Sequence, residues 1–449
     1  MDLAKRFKVP ILLFGSLIAI LSVACSSDAE EEAAPAAPAP AAPAAAAPAA
    51  AAPAPAAAAP ATAESEMVKD VWGNSVRKPI HGGTIPIATN VAPEIFDPWH
   101  GDWVSVYGEY IWDDLCTIDW ALPRDEVDLT AGYKQMSMYE GELATSWDIS
   151  SDLTTYTFHL REDAFWHDKT PTNGRQFVAS DVKYSWDRVR GLGDFSEAGA
   201  SPHDWLMGDI EIDEITVTDD QTVVVHSAAP SLENIGRMCG IGGPWTNSFV
   251  PREVIEEFGD MKAWENVSGT GPYTISGFTA QSKIEFTRNP NYFGIDPVYP
   301  GQDLQLPYSD RIDIHVMPDA AARVAAMRTG KTAMQGGQHL NNDQVSSLKE
   351  TNPELSAVKI TGTSKSDPAY YLGAAPFSIW EVRLAMQKAI NFDEIIDSYY
   401  KGDADRNHWG FAPGPAAGYY TPYQDWPEDV KQQFVYDPDE AGRLLDEAG

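Results

Sequence analysis

The sequence predicts an α/β fold, and three stretches carry that prediction. Between Thr155 and Arg161, Tyr156, Phe158 and Leu160 alternate with Thr157, His159 and Arg161, the period of a strand with one buried face. After Ser180, a residue suited to an N-cap, Val182, Trp186 and Val189 recur at helical spacing. The order strand then helix returns from Arg311 to Met334: IDIHV alternates, Asp319 is placed to cap, and Ala322, Val324 and Met327 form a stripe closed by Gly330. Strand and helix signals alternating along one chain point to helices packed on a sheet.

At 449 residues the chain has room for about three domains and a sizeable core. A formal net charge of −34 argues against nucleic acid or an anionic membrane surface as partner, because binding phosphate needs an excess of Lys and Arg. The acidity reads as the solubility charge of an exported protein. Fourteen tryptophans and eighteen tyrosines supply a core first, and can also line a sugar or peptide pocket.

The front of the chain carries an export signal. Lys5, Arg6 and Lys8 precede an apolar run from Pro10 to Ala24 that ends at Cys25, short for a membrane span and without flanking charge on its far side. The segment 1–25 is similar to a bacterial lipoprotein signal, in which the cysteine is lipidated and becomes the mature N-terminus; an ordinary signal or an uncleaved anchor is the alternative. Residues 26–77 open on an Ala- and Pro-rich run whose prolines interrupt any helical ladder, so they read as a disordered tether. At ~3.1 Å per residue, forty such residues reach up to about 120 Å.

The remaining elements follow in order. Lys78 to Asn90 is a Gly-rich turn into a strand, with Phe96-Asp97-Pro98 ending the loop beyond it. Ile215, Val217, Val223 and Val225 mark two strands between Ile210 and His226, and a helix starts after Pro251. From Gly269 to Gly294 a hairpin is expected, with Gly269 and Gly271 supplying positive φ beside Pro272, Tyr273 and Ile275 turned inward, and Asn289-Pro290 ending the second strand. Val382, Met386 and Ala389 mark one helix. Asn391 with Glu394 forms a capping pattern for the next, and Asp437 caps a last helix with Ala441, Leu444 and Leu445.

Several of these stretches resemble family 5 of the extracellular solute-binding proteins, the peptide- and nickel-binding subunits of ABC importers. Leu143 to Trp147 (LATSW), Thr155 to Arg161 (TYTFHLR) and Trp166 to Pro171 (WHDKTP, with Lys169 in place of the usual turn glycine) match that family's strand-turn-helix block. GTGPY at Gly269 to Tyr273, NPNYFG at Asn289 to Gly294 and VRLAMQKAINFDEII from Val382 match three more of its phrases, so the likeness runs from about Lys78 to Gly449. It implies a two-lobed periplasmic-binding-protein-like α/β fold with an extra subdomain in the larger lobe, the larger lobe at 78–365 and the second at 366–449. In the family the LLDEAG phrase is followed by further elements and by the carboxylate that pairs with a peptide's free amino group. The second lobe is therefore expected to be incomplete, with exposed apolar faces on the helices carrying Met386, Ile396 and Leu444.

By the same resemblance, Trp103, Ser105 and Tyr107 on the loop and helix after Trp99, together with Tyr370 and Tyr371, are the candidate ligand contacts. The implied function is capture of an extracytoplasmic solute, a peptide above all, for delivery to ABC permease subunits. The protein would act as a lipid-anchored monomer on the outer face of the cytoplasmic membrane, without cofactor or nucleic acid. An oligosaccharide or metal chelate is the alternative ligand, and a secreted carbohydrate-active hydrolase the alternative class; that hydrolase needs two carboxylates about 5 to 10 Å apart across a cleft.

The residues themselves offer no catalytic or metal motif: no GxSxG, no HExxH and no paired CxxC. His159 and His167 are spaced wrongly for a helical metal pair. With Cys25 lipidated, Cys116 and Cys239 remain in an oxidising compartment, either as a disulfide or as two buried thiols.

Overall fold

The computed structural model describes residues 66–100, 107–125, 136–201, 210, 212–239, 248–335, 340–359, 370–404, 421 and 423–449. The chain divides into two units, Met1–Thr62 and Ala63–Gly449, and every described residue belongs to the second. Cys25 and the run from Ser26 to Ser65 lie outside the described residues.

Folded structure begins ahead of the expected boundary at Lys78. Strands β1 (Met67–Lys69) and β2 (Ser75–Arg77) pair as a hairpin. Val71 N–H donates to the Val298 carbonyl at 2.9 Å, and Trp72 Nε1 donates to the Leu122 carbonyl at 3.1 Å. Three-residue strands show no period, and the contacts that hold the hairpin, to Val298 and Leu122, lie far along the chain, so local patterning does not reveal it.

Strand β3 (Thr84–Thr89) enters the main sheet, and the chain continues through a short helix α1 (Gly108–Ile111) to β4 (Cys116–Ile118) and its antiparallel partner β5 (Tyr139–Gly141). Then β6 (Ala144–Ile149) pairs with β7 (Thr155–Leu160), the strand anticipated from alternation, whose Tyr156, Phe158 and Leu160 are buried. Lys169 reaches across the next turn, its Nζ donating to the carbonyls of Glu265 and Val267, while Asn173 and Gly174 take the left-handed φ values of 49° and 65°.

Helix α2 (Ala179–Arg190) starts two residues earlier than an N-cap at Ser180 would place it. Its N-cap is Val178, whose N–H donates to Asp181 Oδ2 at 3.1 Å. The carboxylate at the third helical position thus reaches back to an orphan donor, and the cap residue needs no polar side chain of its own. Val182, Trp186 and Val189 are fully buried, as the stripe requires.

Strands β8 (Ile212–Asp219) and β9 (Thr222–Ser227) complete an antiparallel sheet of order β6-β7-β9-β8. Two short helices follow, α3 (Glu233–Met238) and α4 (Arg252–Phe258), the latter after Pro251. Next, β10 (Tyr273–Thr279), β11 (Lys283–Arg288) and β12 (Arg311–Val316) lead to α5 (Ala320–Arg328) and β13 (Met334–Gln335). They build a mixed sheet of order β10-β11-β12-β3-β13, antiparallel up to β12 and parallel across β12, β3 and β13. Asp319 caps α5 by accepting the Ala322 amide at 2.7 Å, and Gly330 takes φ 68° beyond its end.

Gly269 and Gly271 are required for a different reason from the one the sequence suggests. Neither takes a positive φ. A Cβ on Gly269 would lie 1.9 Å from the Ile111 carbonyl oxygen, and one on Gly271 would lie 2.6 Å from the Ile111 carbonyl carbon. The turn is glycine because another backbone presses against it.

One core joins both larger sheets and runs from Ile87 to Ile314, with Trp99, Trp166, Trp186, Phe249 and Phe286 buried in it. Each such ring stabilises the fold by roughly 1.5–3 kcal/mol relative to exposure. Cys116 and Cys239, both buried, are joined as a disulfide.

The later chain forms α6 (Asn342–Thr351), α7 (Trp380–Ala389), α8 (Phe392–Ser398), α9 (Glu428–Lys431) and α10 (Pro438–Ala448). Asn391 and Asp437 cap as expected, accepting the amides of Glu394 and Glu440. The helices carrying Met386, Ile396 and Leu444 do expose apolar side chains, but Leu444 itself is buried with Ala441 against Ala385, a small residue that lets α10 approach α7 closely. Met386 and Ile396 are half-buried, and the exposed apolar side chains on these helices are Trp380, Ile395 and Leu445.

Candidate functional site

Strands β3 and β12 run parallel with Thr89 opposite Val316, and Met317 N–H donates to the Thr89 carbonyl at 2.7 Å. At this carboxyl edge the chain leaves the sheet in two loops, the place where open α/β sheets hold ligands. Three residues of this edge carry a buried polar atom without a protein hydrogen-bond partner: Thr89 Oγ1, Asn90 Oδ1 and Arg323 Nε. Arg323 is 4% exposed, and its Nη1 donates to the carbonyls of Met317 (2.7 Å) and Pro318 (2.8 Å), which fixes the guanidinium at the end of β12. Buried polar atoms left unpaired are uncommon and costly in folded proteins. A hydroxyl, an amide oxygen and a guanidinium N–H together can serve both the N–H and the C=O of a peptide-like ligand.

The loop after Asn90 is held from behind. Tyr107 is buried, and its hydroxyl donates to the Val91 carbonyl at 3.0 Å. Burial pushes its pKa far above the ordinary value, so the phenol stays a donor. Further along, the carboxylate of Asp97, fully buried, accepts from Arg188 Nη2 (2.6 Å), Arg188 Nη1 (3.3 Å), Trp99 N (3.1 Å) and Met261 N (3.2 Å), with His100 Nδ1 at 3.2 Å. Burial alone would raise the Asp97 pKa; the His100 hydrogen bond and the Arg188 guanidinium outweigh it and hold the carboxyl well below the usual range.

Of the residues singled out from sequence, Trp103 and Ser105 lie outside the described residues, as does Cys25. Tyr107 stands behind the loop at the sheet edge. Tyr370 stacks on Phe377 with centroids 4.8 Å apart, and Tyr371 is 76% exposed. Among the described hydrogen bonds and ring contacts, none joins either tyrosine to Tyr107. Sequence reasoning missed Thr89, Asn90 and Arg323. The one available signal was an arginine at 323 within a stripe read as apolar.

His159 pairs with Asp148 at the surface at 3.1 Å, and His167 is buried against the Gly269 to Gly271 turn. Among the described residues no group of three or more His, Cys, Asp or Glu is placed to hold a metal ion, and no helix is long and apolar enough to cross a membrane.

The profile of a family described as bacterial extracellular solute-binding proteins, family 5 Middle, matches residues 138–449. A dipeptide-binding protein of Escherichia coli (strain K12) is 28% identical over 323 residues, which are 68% of this chain and 54% of that protein. The chain thus spans about half the length of the curated relatives it matches. Among solved structures, the ABC transporter-associated periplasmic binding protein DppA from Helicobacter pylori in complex with peptide STSA superimposes with TM-score 0.62 at 22% identity, over 82% of this chain and 67% of that one. NikZ from Campylobacter jejuni in complex with Ni(L-His) does so with TM-score 0.61 at 19% identity, over 82% and 63%. The α/β fold is that of the two-lobed periplasmic binding proteins.

Proposed function

The chain belongs to family 5 of the bacterial extracellular solute-binding proteins, and on that premise we propose that it is the substrate-binding component of an ABC importer. It captures a peptide outside the cytoplasm between a lobe at 78–365 and a second lobe beginning at 366, and hands it to the membrane permease. It acts as a non-catalytic monomer, lipidated at Cys25 and anchored to the outer face of the cytoplasmic membrane. Trp103, Ser105, Tyr107, Tyr370 and Tyr371 belong to the walls of its cleft.

The observation that carries the ligand class is the trio of unpaired buried atoms on Thr89, Asn90 and Arg323 at the ends of parallel strands. Such a set suits the main chain of a peptide, whose donors and acceptors recur at fixed spacing whatever its side chains. Titration calorimetry of the chain with a mixture of short peptides, a set of oligosaccharides and nickel-histidine tests the reading. Heat is expected with peptides, and Thr89→Val should weaken it about tenfold, the worth of one hydrogen bond made in a dry site. Heat with sugars or the chelate alone overturns the peptide assignment. If ligand contacts both lobes it should draw them together and contract the particle in solution scattering, because ligand favours whichever state it contacts more.

A further inference from the structure

The segment from Ile111 to Asp114 and the turn from Gly269 to Gly271 form a joint packed backbone to backbone. Gly271 N–H donates to the Ile111 carbonyl at 2.8 Å, and Asp113 N–H lies 3.4 Å from Thr270 Oγ1. Acidic side chains crowd this joint from three directions. Asp113 and Asp114 come from the segment itself, Glu142 from the link between β5 and β6, and Glu109 from α1. Glu142 Oε2 accepts the Asp114 amide at 2.8 Å, and Asp113 Oδ1 accepts the Tyr292 hydroxyl at 3.0 Å.

The facing groups offer little positive charge. Arg161, at the exit of β7, donates to the Glu142 backbone carbonyl (3.2 Å), but its guanidinium is held by the Asp163 carboxylate at 2.6 and 3.2 Å and lies over the Phe293 ring. On the opposite side of the turn, His167 is neutral and Lys169 is turned to the Glu265 and Val267 carbonyls. An independent observation completes the picture: Asp113 is 4% exposed, and its Oδ2 is buried with no donor. An ionised carboxylate there would carry an unpaired charge in a dry site beside two more carboxylates.

We propose that this joint is proton-held: the carboxyls of Asp113, Asp114 and Glu142 keep protons when the joint is closed, and their stepwise ionisation as pH rises, Asp113 first, loosens the seam between the Ile111–Asp114 segment and the Gly269–Gly271 turn. Burial first, and then the neighbouring acids, push Asp114 up to about 8 and Glu142 well above the ordinary range; burial pushes Asp113 up to about 6 against the Thr270 and Tyr292 hydroxyls and the Arg161 charge. Folded values above unfolded ones mean that the folded chain binds more protons, so stability falls as pH rises from the ordinary carboxyl range through about 8. The turn feeds β10, and Asn289 Nδ2 at the exit of β11 donates to the Gly271 carbonyl (3.0 Å), so loosening passes into the sheet that carries Thr89.

Thermal midpoints of the oxidised full chain and of the isosteric double variant Asp114→Asn/Glu142→Gln, taken between about pH 6 and 9, test this. The wild-type midpoint should fall across the range and that of the variant should stay nearly level, crossing above wild type at the alkaline end. Infrared difference spectra of the wild type give a second readout that needs no variant: a protonated-acid carbonyl band at neutral pH that weakens by about pH 9. Parallel slopes in the two proteins, or no such band at neutral pH, overturn the proposal.

Discussion

Nδ1 of the buried His167 accepts the Gly269 amide at 3.2 Å while its Nε2 lies 3.1 Å from the Gly271 carbonyl, so one ring clasps both glycines of the turn. A backbone N–H can only donate, so Nδ1 is the acceptor, Nε2 carries the proton, and the imidazole is neutral. Burial, with Lys169 adding to it and the Gly271 bond opposing, lowers its pKa from 6.5 to about 4. The unfolded chain therefore binds more protons between these values. The contribution is fully present above pH 6.5 and is lost as pH falls through about 4, roughly 3 kcal/mol in all. Urea unfolding of wild type and His167→Gln at several pH values checks this. The variant should be less stable at neutral pH, with a shallower acid limb; identical limbs would show that another group titrates.

The buried pair of Asp97 and Arg188 should behave as a unit. Arg188→Met strands a carboxylate that is 0% exposed and should cost about 3–5 kcal/mol. Adding Asp97→Asn should recover part of that loss, a coupling read from a double-mutant cycle in urea. Strict additivity would mean that the two do not act together.

Two glycine substitutions should have opposite signs. Gly269→Ala drives a methyl into the Ile111 carbonyl and should cost about 3 kcal/mol or more, since neither backbone can yield cheaply. Gly442→Ala, within α10 and with nothing inside 4 Å, should stabilise by about 0.5–1 kcal/mol through helix propensity. Chemical denaturation of both variants measures the contrast.

The Cys116–Cys239 disulfide closes a loop with a sequence separation of 123 residues, so removing it frees a large unfolded ensemble. The double variant Cys116→Ser/Cys239→Ser should lose about 4 kcal/mol. Reductant should then shift the thermal midpoint of the wild type and leave that of the variant unmoved.

Elements whose signals are local can be read directly from consecutive residues. The alternation of Tyr156, Phe158 and Leu160 made β7, and the spacing of Val182, Trp186 and Val189 made α2. Asp319, Asn391 and Asp437 each capped the helix that begins beside it. The GTGPY and NPNYFG phrases pointed to the right family, because a hairpin and its flanking turns are written within a few consecutive residues. Tertiary structure decided everything that depends on which distant group arrives. Gly269 is glycine because of the Ile111 carbonyl, Val178 needs no polar side chain because Asp181 turns back to it, and Cys116 meets Cys239. Thr89, Asn90 and Arg323 form a candidate site only where β3 and β12 end side by side. Periodicity reports which face of an element is apolar; it holds no information about the partner that face or edge will meet, and burial, pairing and charge state are properties of that meeting.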